Sequence, residues 1–254
     1  VHAAATIARY TMLEARRSGL PWLALGSIIV ALALAAFLSQ VAITEGGRLQ
    51  LAAAGALLRA CAVFLVAVHV VASIAREAND KGIELALALP VSRHAWYLGK
   101  LLGFAACGAV LAVACALPLI LWAGPAELVA WGLSLALECA LVAAAALFFA
   151  SALTQVVPAL VAMAGLYLLA RAITAIQAIA SGPLAEQTVA GRVARGSVDA
   201  VAYLLPRLDA VTRTDWLVYG APATAPYLQA IVALALYCVL LAAAGLFDIS
   251  RRNL

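Results

Sequence analysis

Three ionisable residues, Arg59, Glu138 and Arg171, stand inside otherwise apolar stretches, and they are the residues whose chemistry most needs explaining. An ionisable group in hydrocarbon is costly, so it pairs with a partner or faces a polar cavity. Other reactive types are scarcer or badly spaced. The five cysteines (Cys61, Cys107, Cys115, Cys139 and Cys238) lie in apolar runs without CxxC spacing, which reads as buried thiols and not as a metal or disulfide framework. His2, His69 and His94 do not share a helix face at ligand spacing, so a haem or copper centre built by this chain alone is not expected. Gly132 to Leu135 make a GxSx fragment, the kind that could present a serine nucleophile. On a helical rise, however, Ser134 falls roughly 9 Å and His69 roughly 27 Å from the same membrane face. Gly99 and Lys100 lack the glycine-rich loop and the hydroxyl that hold nucleotide phosphates and magnesium.

The elements that position these residues follow from composition. Of 254 residues, 67% are hydrophobic and 11% charged, against roughly 45–50% and 25% for a soluble domain. Spans of about 20 apolar residues cross a bilayer. Six are expected, over about 20–42, 51–73, 101–122, 128–152, 157–180 and 226–247, with a tight turn at Gly124 and Pro125. This reads as an all-α polytopic membrane protein with a single membrane domain over 1–254. The remaining residues are scattered in pieces too short for an attached ATPase or protease domain. Arg16 and Arg17 precede the first span as a twin-arginine signal would, but that apolar run exceeds a signal core, and a retained anchor is expected.

Basic residues set the orientation. Arg9, Arg16, Arg17, Arg76, Lys81, Arg93, Lys100, Arg251 and Arg252 fall on one face, which is assigned to the cytoplasm together with both termini. The net charge of +4 comes from such span-flanking residues, not from a basic surface interleaved with aromatics, so nucleic acid is not an expected partner. Two connections are large. One, 76–99, is highly charged at its start, and Pro90 should end a short helix begun near Lys81. The other, 181–225, has mixed polarity and is expected to lay two short helices against the membrane interface. Counted on the helical rise, Arg59 lies roughly 12 Å and Glu138 roughly 15 Å below the outer face, and Arg171 about 9 Å below it. Glu138 is therefore expected to pair with Arg59 or Arg171, as an interhelical clamp or as a polar lining for cargo.

With these features in place, the chain resembles the ABC-2 type transporter permeases, the membrane subunits of type V ABC exporters. The 8–19 segment is similar to the family's cytoplasmic elbow helix. The stretch holding Lys81, Gly82, Ile83, Glu84, then Pro90, Val91, Ser92 and Arg93, then Gly99 and Lys100, resembles the family's coupling segment. The 203–209 and 215–220 stretches resemble its outer re-entrant helices, and 246–254 its closing segment. The subgroup is similar to permeases of multicopper-enzyme maturation, such as those of nitrous-oxide reductase assembly.

The resemblance implies a separate ABC ATPase subunit that holds ATP and magnesium, a homo- or heterodimer of permeases in the bacterial inner membrane, and no cofactor bound by this chain. It also implies a coupling helix in which Ile83, Leu85 and Leu87 give apolar contact to the ATPase and Glu84 a polar hold. Pro90 and Gly99 delimit that lever. Competing readings are a haem-handling cytochrome maturation permease, an intramembrane enzyme, or a secondary transporter. Against these stand the absence of paired histidines, the separation of Ser134 from His69, and the lack of an internal repeat.

Overall fold

The computed structural model describes residues 2–41, 45–80, 92–153, 155–181 and 189–251. Among the described residues the chain forms ten α-helices, one 3-10 turn and no strand. These are α1 (His2–Arg17), α2 (Leu20–Val41), α3 (Gly46–Asn79), α4 (Arg93–Ala116), α5 (Pro125–Leu153), α6 (Val156–Ala180), α7 (Val189–Leu204), α8 (Leu208–Val211), α9 (Asp215–Tyr219) and α10 (Thr224–Arg251). The 3-10 turn, Leu117–Leu121, continues α4 where Pro118 removes a backbone donor. Six helices, α2, α3, α4, α5, α6 and α10, are long and apolar enough to cross a membrane.

α5 is the hub, packed against α3, α4, α6 and α10. Its four consecutive alanines, Ala143 to Ala146, are all buried, because small side chains let neighbouring helices approach from several directions where no hydrophobic driving force separates protein from lipid. α3 is the second interior helix. α2 and α10 sit outside and turn large apolar residues outward, Trp22 and Phe37 on one and Val232 and Phe247 on the other. α2 meets α3 through Ala24, Ala31 and Ala35, a stripe at helical spacing. At the turn that joins them Glu45 adopts a left-handed backbone, and a side chain at Gly46 would strike the Ser39 carbonyl at 2.8 Å.

Several boundaries differ from expectation. α3 does not stop near 73 but runs to Asn79, because its last turn is held by ion pairs described below. α4 begins at Arg93, not 101: Ser92 caps it by accepting from the Ala95 amide at 3.2 Å. The connection expected over 76–99 therefore narrows to 80–92. Among the described residues the 181–225 stretch holds three helices, where two were expected. α7 is tied to α6 by Gln177, which donates to Asp199 at 2.9 Å. Leu205, Leu208 and Val211 of this stretch are buried against Ala170 and Ile173 of α6 and Leu234 of α10, and Trp216 and Leu217 are buried near α3. Tyr203, Leu204 and Tyr219 remain outward.

The arrangement of α1 is unexpected from its composition. Its inward stripe is Ala4, Ile7, Ala8, Thr11, Glu14 and Ala15, at helical spacing but, Ile7 apart, small or polar. Tyr10 and Leu13 point outward. The stripe lies in a groove made by Gly99 and Gly103 of α4, where an added Cβ would come within 2.8 Å of the Ala4 carbonyl and 2.6 Å of Thr11. Four-residue spacing of two glycines permits this approach.

Candidate functional site

The intramembrane charges assemble at one place. α3 contributes Arg59, α5 contributes Glu138 and Ser134, and α6 contributes Tyr167 and Arg171. Glu138 is fully buried and Arg59 is 1% exposed, so each needs the other: an unpaired charge here would be desolvated without compensation. Arg59 Nη1 contacts Glu138 Oε2 directly, and Arg59 Nη2 donates to the Ser134 hydroxyl at 2.9 Å. Ser134 in turn donates to the Trp131 carbonyl at 2.7 Å, and the Arg59 guanidinium lies 5.1 Å from the Trp131 ring centre.

The second carboxylate oxygen faces α6. Tyr167 donates its hydroxyl proton to Glu138 Oε1 at 2.7 Å, and Arg171 Nη1 lies 3.5 Å from the same oxygen. Arg171 Nη1 also donates to the Thr212 hydroxyl at 2.9 Å, and Thr212 donates to the Leu208 carbonyl at 2.8 Å. The stretch after α7 thereby closes over the cluster. Glu138 meets both arginines, one through each oxygen, where one partner or the other was expected.

Sequence reasoning passed over Tyr167, Trp131 and Thr212, and treated Ser134 as a possible nucleophile. A usable signal existed for two of them: Ser134 and Tyr167 each stand four residues before a charged cluster member, Glu138 and Arg171, on the same helix face. Thr212 had no such signal, because its position depends on the long connection folding back. His69 packs edge-on against Phe104, with ring centres 5.8 Å apart. It lies ten residues along α3 from Arg59, about 15 Å by helical rise, and Ser134 is committed to Arg59.

A second charged cluster joins α1, α3 and α4 at the opposite end of the bundle. Ser73 donates to Glu14 at 2.7 Å, and Arg76 lies 3.3 Å from the same carboxylate oxygen. Lys100 bridges Glu77 at 3.0 Å and Glu14 at 3.7 Å. Partial burial pushes the Glu14 carboxyl upward, but the Ser73 hydroxyl, Lys100 and Arg76 outweigh it and hold the group below its ordinary value.

Of the expected coupling residues, Lys81, Gly82, Ile83, Glu84, Leu85, Leu87 and Pro90 lie outside the described residues. Arg93 is described: its Nη1 donates to the Ile249 carbonyl at 3.5 Å, which brings the start of α4 to the end of α10. Among the described residues no group of three or more His, Cys, Asp or Glu could hold a metal ion.

The fold defines an all-helical protein with the span pattern of a multi-pass membrane protein. No protein-family model matches the chain, and no curated protein matches it.

Proposed function

We propose that the chain is the membrane-spanning permease subunit of an ATP-driven exporter of the ABC-2 type. In this reading it works with a separate ATPase, paired as a homo- or heterodimer in a bacterial inner membrane with both ends in the cytoplasm. The observation that supports the reading is the anchoring of the 80–92 connection. Its two exits, Asp80 and Ser92, leave helices α3 and α4 that are tied to each other and to α1 through Glu77, Lys100 and Glu14. A push on that connection reaches α3 and α4 as a unit, and α3 carries it to Arg59. The Lys81 to Arg93 stretch, with its resemblance to a coupling segment, is where an ATPase would push. ATP hydrolysis itself would belong to the partner, with its magnesium.

The test is affinity purification of the tagged chain from its native membrane in mild detergent. The expected result is a co-purifying protein with ATPase activity, whose turnover loses its response to the permease when Glu84→Ala is introduced. An ATPase-free preparation from native membranes, with an intact permease, overturns the reading.

A further inference from the structure

A groove of about 540 Å³ opens on the flank of the bundle between α3 and α6. The two helices run antiparallel, so Arg59, Tyr167 and Arg171 gather at one end. From there the walls continue for about 12 Å along α3, to Ala67, and about 16 Å along α6, to Leu160. They are apolar, with Phe64, Val161 and Leu168 each about two-thirds exposed along the opening.

The charge at the polar end does not balance. Two guanidinium groups face one carboxylate, and Ser134, Tyr167 and Thr212 are neutral, which leaves one positive charge in a span. Arg59 stands at the polar end of this groove on a side chain that is 1% exposed, and its buried Nε has no hydrogen-bond partner among the described residues. Arg171 commits Nη1 to Glu138, Tyr167 and Thr212. Its Nε and Nη2 stand outside that network on a side chain that is 38% exposed.

We propose that this groove binds one anionic phospholipid, its phosphodiester received by the exposed part of the Arg171 guanidinium, beside the buried Arg59, and its acyl chains laid along Phe64, Val161 and Leu168. One phosphodiester supplies the single negative charge that the cluster lacks, and guanidinium is the side chain best suited to it. A free inorganic anion would leave the apolar walls uncovered. A zwitterionic lipid would bring a further cation beside two arginines. A second copy of the chain meeting the groove face to face would double the unbalanced charge. The proposal does not depend on an ATPase partner.

Native mass spectrometry and thermal unfolding of the detergent-purified full chain test it, with phosphatidylglycerol, phosphatidylcholine and inorganic phosphate as probes. The expected result is one retained phosphatidylglycerol per chain, bound about tenfold or more tighter than phosphatidylcholine, as a charge-assisted hydrogen bond allows. Ala164→Trp fills the groove without touching the charged network. It should abolish the retained lipid while the melting temperature in lipid-free detergent stays the same. Arg171→Gln should remove most of the preference between the two lipids. Equal retention of both lipids, retention undiminished in Ala164→Trp, equal stabilisation by inorganic phosphate alone, or a lipid-free dimer would each overturn the proposal.

Discussion

The two charged clusters use the same residue types in opposite ways. At the α1 end, two acids (Glu14, Glu77) meet two bases (Arg76, Lys100), and most of the side chains keep some contact with solvent: Glu14 is 37% and Arg76 53% exposed. In the span, one fully buried acid serves two bases, and hydroxyls supply the remaining contacts. A balanced, partly wet cluster can lose a member and be repaired by water. A buried, unbalanced one cannot, so Glu138 is a single point of failure where Glu14 is not.

The largest predicted effect breaks the buried side of this contrast. Glu138→Leu leaves two guanidinium groups without their counter-charge and should cost about 3–5 kcal/mol, read as a large fall in unfolding temperature in detergent. A loss under 1 kcal/mol would mean the arginines find other partners and that the two clusters are energetically alike. Next in size is Gly103→Val. Its side chain would overlap Thr11, so α1 must move off α4 at a cost of about 1–3 kcal/mol, with faster proteolysis within α1 as the readout. If α1 stays protected, the glycine groove is not what docks it.

Arg76→Met should cost less, about 1 kcal/mol at most, because Arg76 and its partner Glu14 are both open to water. High salt should shrink this loss but leave that of Glu138→Leu unchanged, since screening reaches exposed charges and not buried ones. An equal salt response for the two variants would erase the distinction. The smallest effect is on pH dependence. Because the Glu14 carboxyl is held below its ordinary value, its contribution is complete above that value and disappears as pH falls through the lowered one. Stability against pH should therefore drop on the acid side in the native chain, and Glu14→Gln should flatten that limb. A limb of unchanged slope would show that Glu14 takes no part in it.

The spans were legible because length and apolarity set them. Gly124 and Pro125 marked the α4–α5 connection correctly, since neither residue continues a helix from there. Boundaries were less legible where polar residues extend a helix: Arg76 and Glu77 read as loop from composition, yet their partners Glu14 and Lys100 keep them helical. The stripe of α1 escaped notice because a search for large apolar residues cannot see Ala4, Ala8, Thr11 and Ala15, although Gly99 and Gly103 signalled a close approach. At the buried site, depth counting placed Arg59, Glu138 and Arg171 in one layer. Azimuth was the missing coordinate, and with it the fact that one carboxylate could face two helices at once. Thr212 shows the same limit, since its partner lies 41 residues away along the chain.

One length has a mechanical consequence. α3 is 34 residues, about 51 Å, and it bears members of both clusters: Arg59 in one, Ser73, Arg76 and Glu77 in the other. The two anchorages are about 25 Å apart along its axis, measured from Arg59 to Arg76. A beam clamped at two stations resists sliding, tilting and twisting together, whereas a beam held once can pivot. α3 is thus the stiff member of the frame, and α2, buried only along its Ala24, Ala31 and Ala35 stripe, is the member with freedom to swing about it.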